Sequence, residues 1–370
     1  MASDKIRLGV IGANSTKGWA PRAHLPALMA SPDVELTAVC TSRQESAEAS
    51  ARKYGAKLAF HDYREMLACP DIDAVAVVLR VPSHYEPTRD ALKAGKHVFT
   101  EWPLGKNTAE AEELAALARQ QGVQTLVGLQ ARAAPAVLYM KELIATGYVG
   151  EVLSCQMRLF RDGVLQRTSD RTWQRDVTLG ATTLTIATGH AIDAMRFVVG
   201  DFRHVAAMVS TQVPQWFEAD TQHLVDVTAP DNILVSGRLA NGAVASVHVA
   251  SIPWAGSGYC LEIYGREGTL VATSDESPQL GNVRVQGTRA HGSLEDLDIP
   301  SRYIYVPEDM PQGAPYNVGQ LYALFAKAIR SGDVSPSYAT FDTAVDLHRF
   351  IDAIGESSTQ GRQTGVSAVP

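Results

Sequence analysis

Three groups of residues in this chain have the types and spacing that chemistry requires. The first is the turn Gly12-Ala13-Asn14-Ser15-Thr16-Lys17-Gly18-Trp19, which follows the apolar run Ile6–Ile11 directly. A tight strand-to-helix turn of this kind brings backbone N–H groups and a helix N-terminus up to a pyrophosphate. The usual spacing is Gly-x-Gly-x-x-Gly. Here Gly12 serves as the first glycine. Asn14 stands where the second is expected, as a residue that tolerates left-handed backbone. The next glycine comes late, at Gly18, and lengthens the loop. Gly12, Asn14, Ser15, Gly18 and Trp19 are therefore expected to bind a dinucleotide.

The second group is Thr41-Ser42-Arg43, after the strand-like run Val34–Cys40. Enzymes selective for NAD carry an acid at this strand end to hold the ribose 2′-hydroxyl. No acid stands at this tip, and Ser42 and Arg43 can donate to a 2′-phosphate. NADP is expected, with NAD as the alternative; the plain reading of Arg43 is a solvated surface residue. The third group is His190 and Asp193, one helical turn apart. Oxidising an alcohol by hydride transfer leaves a proton, and a histidine with its ordinary pKa near ~6.5 can take it. The plain reading of His190 is a structural histidine in the following helix. A basic, aromatic-containing stretch, Arg158, Arg161, Arg171, Trp173 and Arg175, suits a carboxylate or an interface. No His-Glu-x-x-His or comparable spacing implies a metal.

The elements that must position these groups are legible along the chain. Short apolar runs alternate with helical stretches over about 130 residues, the pattern of parallel βαβ units. Asn107, with Glu110 three residues on, reads as a capping-box-like start for the helix Thr108–Gln121. The expected fold is α/β: an N-terminal Rossmann doubly wound parallel sheet over 1–130, then an α+β domain over 131–370 with a mostly antiparallel open sheet. Alternation puts Val152, Ser154, Gln156, Arg158 and Phe160 on one side of a strand. Ala240-Asn241-Gly242 marks a hairpin, and Gly265–Gly268 a second. Closing helices within 317–356 are expected to pack on either domain, and the last dozen residues form a mobile or docked tail. Residues 275–315 carry no clear pattern.

Composition narrows the class. At 370 residues, about two domains are expected. The net charge of −7 argues against a nucleic-acid coat. No apolar run approaches the ~20 residues that span a bilayer. Met1-Ala2-Ser3-Asp4-Lys5 lacks the pattern of a signal peptide. Cys40, Cys69, Cys155 and Cys260 are scattered, which fits a reducing cytoplasm.

Five further segments, taken in order, carry a resemblance: Leu79-Arg80-Val81-Pro82-Ser83-His84, Gly95-Lys96-His97-Val98, Glu101-Trp102-Pro103-Leu104, Gly147-Tyr148-Val149-Gly150-Glu151-Val152 and Gly189-His190-Ala191-Ile192-Asp193. The chain resembles the Gfo/Idh/MocA oxidoreductase family over nearly its whole length. The resemblance implies NAD(P)-dependent oxidation or reduction of sugars, polyols or related cyclic alcohols. It implies a second domain whose open sheet face covers the nicotinamide and builds a homodimer or homotetramer. It puts Glu101 on the nicotinamide side of the cofactor and has Pro103 shape the turn, with a cis bond as one means. Arg80, Pro82 and His84 at the preceding strand end, and Arg132 after the last strand, are read as completing the cofactor-side set, although the family counterpart of His84 usually caps the following helix. Arg132 also suits an anionic or hydroxyl-rich substrate.

Two departures from the family pattern matter. The family motif at 101–103 is Glu-Lys-Pro, with a lysine that helps position or deprotonate the substrate hydroxyl; here that position is Trp102, which can stack but not titrate. The family often has an aspartate four residues before the histidine; here it is Ile186. The catalytic set is then His190, with Trp102 and Asp193 forming the pocket. Glu-Trp-Pro and Thr-Gly-His-Ala-Ile-Asp are similar to the branch that includes the fungal galactose-pathway repressor. That branch gives the alternative function, a catalytically silent NAD(P)-binding regulator acting through a protein partner.

Overall fold

A computed structural model describes residues 5–332 and 334–366. Met1-Ala2-Ser3-Asp4 and the final residues 367–370 lie outside the described residues. Chain contacts divide the molecule into two units: one runs to Ala133 and takes back Ile304–Val345, the other comprises Ala134–Tyr303 and the chain from Asp346 onward.

The first unit is built on β1 (Ile6–Ile11), β2 (Val34–Cys40), β3 (Leu58–Phe60), β4 (Ala74–Val77), β5 (His97–Glu101) and β6 (Thr125–Gly128). All pair in parallel, in the order β3-β2-β1-β4-β5-β6. This is the doubly wound dinucleotide order, and its switch point lies between β1 and β4. Strands buried on both faces must be apolar throughout; Leu8, Val10, Val75, Val77, Val98, Phe99, Leu126 and Val127 are all fully enclosed. The crossovers are α1 (Leu25–Ala30), α2 (Gln44–Tyr54), α3 (Tyr63–Ala68), α4 (Tyr85–Lys93) and α5 (Thr108–Gln121). Asn107 caps α5 by accepting from the Glu110 N–H, 2.9 Å. The Glu110 carboxylate reaches back one residue further than expected, to the Lys106 N–H, 2.9 Å. One late helix, α8 (Ala314–Ser331), belongs to this unit and buries Tyr322 and Phe325 against its core.

The second unit opens with α6 (Pro135–Ala145) and β7 (Val152–Arg161), and also holds β8 (Gln166–Arg167) and α7 (Gly189–Val199). Its remaining strands are β9 (Phe202–Ser210), β10 (Gln215–Glu218), β11 (His223–Asp226), β12 (Asn232–Leu239), β13 (Val244–Ser251), β14 (Gly258–Gly265), β15 (Gly268–Ser274), β16 (Arg284–Arg289), β17 (Glu295–Asp296) and β18 (Thr364–Gly365). Nine of them form one sheet, ordered β17-β16-β15-β14-β7-β13-β12-β9-β18, in which β7–β13 is the parallel pair. β8, β10 and β11 form a separate three-stranded sheet. The hairpin between β12 and β13 turns through Gly242, with φ +96°, as Asn-Gly requires.

One face of the large sheet buries Cys155, Met157, Leu159, Ile233, Val235, Val247 and Val249. The alternate positions, Ser154, Gln156, Arg158 and Phe160 on β7, lie on the other face. Val152 departs from that expectation: the register slips between Tyr264 and Gly265 opposite it, and Val152 turns inward. Met208, Leu234 and Val244 remain exposed on this other face. The last helix, α9 (Phe341–Gln360), contains the division at Val345, and β18 is docked on β9. Among the described residues no helix is long and apolar enough to cross a membrane, and the four cysteines are free.

Candidate functional site

In the first unit the candidate residues gather at the carboxyl ends of the strands, where open α/β sheets bind ligands. Gly12 turns the chain at φ +89°, and a Cβ there would lie 2.2 Å from the Val78 carbonyl oxygen. Only glycine allows β1 to turn this close to β4. The Gly12 and Ala13 N–H groups donate to the Cys40 carbonyl, 2.9 and 3.1 Å, tying the turn to β2.

Asn14 corrects the sequence expectation. Among the described residues the non-glycine positions with positive φ are Gln222 and Ala290, so Asn14 is not left-handed. Its amide oxygen instead accepts from the N–H groups of Thr16 and Lys17, both 2.9 Å, and from the Thr16 hydroxyl, 3.1 Å. This is an Asx turn, a side chain standing in for backbone. Helix α2 holds the loop from outside: Ser50 Oγ donates to the Ala13 carbonyl, 2.6 Å, and Lys53 Nζ to the Ser15 carbonyl, 2.9 Å. Gly18, at φ +89°, releases the chain into Trp19 and a π-turn over Ala20–His24. The Trp19 indole N–H is buried and meets no acceptor among the described residues. A glycine cradle, a braced loop and an orphaned donor together fit a dinucleotide.

At the end of β2, Thr41 turns its hydroxyl inward onto the Arg43 carbonyl, 2.9 Å, and so shapes the tip. Ser42 and Arg43 are exposed there. At the end of β4, Arg80 is exposed and Pro82 lies in the short helical turn Val81–Ser83. His84, expected on the cofactor side, is a correction. It is 1% exposed, and its ring nitrogens face the Pro103 and Leu79 carbonyls at 2.8 and 3.0 Å. Burial holds its pKa below the ordinary value. Both polar edges of the ring are committed to main chain, so it braces the following turn and has none left for a ligand.

That turn contains the cis peptide Trp102-Pro103, with Trp102 buried. Glu101 ends β5 in a closed network. Its Oε1 lies 2.8 Å from His24 Nε2, and its Oε2 accepts from Gln130 Nε2, 2.9 Å. His24 Nδ1 is 2.7 Å from the Tyr322 hydroxyl. Gly128 leaves the space the carboxylate fills, since a Cβ there would come within 2.7 Å of it. Gln130 and Tyr322 were not singled out from the sequence; Tyr322 sits 298 residues from His24, beyond any local pattern. Arg132 is half-buried in the short turn Gln130–Ala133 after β6.

In the second unit, Thr182 and Thr185 cap each other: Thr182 N–H donates to Thr185 Oγ1, 2.8 Å, and Thr185 N–H to Thr182 Oγ1, 3.2 Å. They start a π-turn over Thr183–Thr188, which includes Ile186 and runs straight into α7. Such turns recur at functional sites. Every residue of α7 is buried, His190 and Asp193 included. Arg196 on the same helix is neutralised by Asp201 at 2.8 Å and by Asp346. Among the described residues no cluster of His, Cys, Asp and Glu has the form of a metal site.

Residues 6–129 match the family model described as an oxidoreductase family with an NAD-binding Rossmann fold. Residues 135–274 match the model of the Gal80p C-terminal domain. The dehydrogenase aclE of Aspergillus oryzae is 31% identical, over 98% of this chain and 98% of its own. The galactose/lactose metabolism regulatory protein GAL80 of Saccharomyces cerevisiae is 26% identical, over 98% of this chain and 95% of its own. Among solved structures, levoglucosan dehydrogenase in complex with NADH and levoglucosan has the same fold, with TM-score 0.86, 23% identity, and 98% and 100% of the two chains covered.

Proposed function

We propose that this chain, which belongs to the Gfo/Idh/MocA oxidoreductase family, is an NADP-preferring oxidoreductase acting on a sugar- or polyol-like alcohol and its carbonyl counterpart. The observation that carries this reading is His190: an imidazole in the first turn of a wholly buried helix, delivered by a capped π-turn, in a chain whose other unit holds a dinucleotide turn. Relatives named as dehydrogenases, aclE among them, and the levoglucosan dehydrogenase complex with NADH support the same chemistry.

When bound, the dinucleotide supplies the hydride acceptor or donor at its nicotinamide. The turn Gly12–Gly18 receives the pyrophosphate, and Ser42 and Arg43 meet the ribose 2′-phosphate. His190 takes the hydroxyl proton as the alcohol is oxidised and returns it on reduction. Asp193, one turn on, orients the imidazole. Trp102, in the place of the family lysine, can stack but supplies no proton. Turnover of a panel of sugars, polyols and hydroxy-aldehydes with NADP(H) and NAD(H) tests the reading; binding of dinucleotide with no turnover of any of them refutes it.

The second reading, a silent regulator, draws on two residues. Trp102 and Ile186 replace two ionisable groups of the family set, and GAL80 is among the relatives. It predicts dinucleotide-dependent capture of a protein partner and no turnover. In either case the apolar Met208, Leu234 and Val244 on the open sheet face call for a second copy of the chain, as a homodimer or homotetramer. The free thiols suit the cytoplasm.

A further inference from the structure

The small sheet of the second unit carries a cation that the proposed reaction does not use. Arg167, on β8, lays its guanidinium over the Trp216 indole of β10, 4.0 Å from the ring centroid. Its Nη1 donates to Gln174 Oε1, 2.6 Å. Among the described residues that amide is its one acceptor, and its Nε is buried without any. Burial above all, and then the repelling Arg171 and Arg161, bring its pKa down to about 10. Glu218, opposite Arg167 in the ladder, spends its oxygens on the hydroxyls of Thr172 and Thr221. A part-buried guanidinium with open donors and no ion-pair partner among the described residues is costly as it stands. Stacking on Trp216 holds its planar fork in the geometry that pairs with an oxyanion.

The position of this fork ties it to His190. Arg161 ends β7 opposite Ser251 of β13. The Ser251 hydroxyl meets Thr183 Oγ1, 3.0 Å, at the start of the π-turn that leads to His190. The arginine segment and the histidine thus spring from the same end of the large sheet.

We propose that Arg167, with Arg161 and Arg171 beside it, binds an oxyanion on the substrate, so that the sugar-like molecule is acidic: a sugar carboxylate or a sugar phosphate. The word substrate rests on the oxidoreductase reading; the oxyanion site does not.

Calorimetric titration of the intact protein at fixed ionic strength tests it, with D-gluconate, D-glucose 6-phosphate, inorganic phosphate and uncharged D-glucose as probes. At least one sugar anion is expected to bind, and D-glucose at least about tenfold more weakly. Arg167→Gln is expected to weaken that anion about 10- to 100-fold; Arg167→Lys restores part of the loss, as a charge without the fork. Arg171→Gln, at an exposed position, lowers the same affinity with the fold intact. Preference for gluconate identifies a carboxylate site, and preference for the phosphate ester a phosphate site. Equal binding of glucose and the anions, inorganic phosphate as the sole ligand, or an Arg167→Gln affinity equal to wild type overturns the proposal. Anion binding that depends on Arg167 without turnover of any substrate leaves the site standing and refutes the enzyme. Turnover of neutral sugars without anion binding does the reverse.

Discussion

His24 Nε2 lies 2.8 Å from Glu101 Oε1 in the interior of the first unit, the imidazole fully enclosed by Tyr322 and Phe99. The pair joins the helical segment after the Gly12–Gly18 turn to the end of β5. Removing either partner strands a buried polar group. His24→Leu is expected to cost about 3–5 kcal/mol in urea denaturation. Glu101→Gln, which keeps the shape and one acceptor, is expected to cost less than His24→Leu.

Gly12→Ala forces a methyl against the Val78 carbonyl at a φ that alanine avoids. The turn must shift, and the dinucleotide Kd is expected to rise about tenfold or more, which corresponds to about 1.4 kcal/mol. Asn14→Ala removes three hydrogen bonds from the same loop without touching β1. A smaller loss of affinity with unchanged Tm is the expected result there, read by fluorescence titration.

Arg43→Ala separates the two cofactors. Loss of a charged donor to a 2′-phosphate is expected to raise the NADPH Kd about 10- to 100-fold and leave that for NADH within about twofold. Equal effects on both would remove the basis for an NADP preference.

How far these residues could be read from the sequence varied with the range of the contacts that fix them. The six parallel strands declared themselves except Leu58–Phe60, too short and half-buried to stand out. In the second unit, the hairpin at Asn241-Gly242 carries its own signal. β9, β10, β11 and β16 mix exposed and buried positions irregularly and gave none. Asn14 lies in the turn, but its backbone is not left-handed: the side chain does the work that a left-handed backbone would do. His84 reads from the sequence either as a ligand or as a brace of the following helix, and the carbonyls facing both its ring nitrogens, which decide for the brace, are visible only in the fold. Arg167 lies within the basic stretch Arg158–Arg175; what distinguishes it is Trp216, 49 positions away in the chain and adjacent only once β8 pairs with β10.

His348, on α9, gives the fold a pH dependence of its own. Burial lowers its pKa to about 4 from an ordinary value of 6.5. The folded state therefore holds it neutral, while the unfolded chain binds the proton first. Its stabilising contribution is full above pH 6.5 and is lost as pH falls towards 4, by about 3 kcal/mol. His348→Phe is expected to flatten the acid limb of a Tm-against-pH curve over that window, whatever its effect at pH 8.

The central claim is that His190 moves the substrate proton, and steady-state turnover of wild type against His190→Ala tests it most directly. A substrate is first found in the sugar and polyol panel. The account predicts that kcat/KM then falls about 10²- to 10⁴-fold in the variant, while the dinucleotide Kd stays as it was. Undiminished turnover by His190→Ala would contradict it.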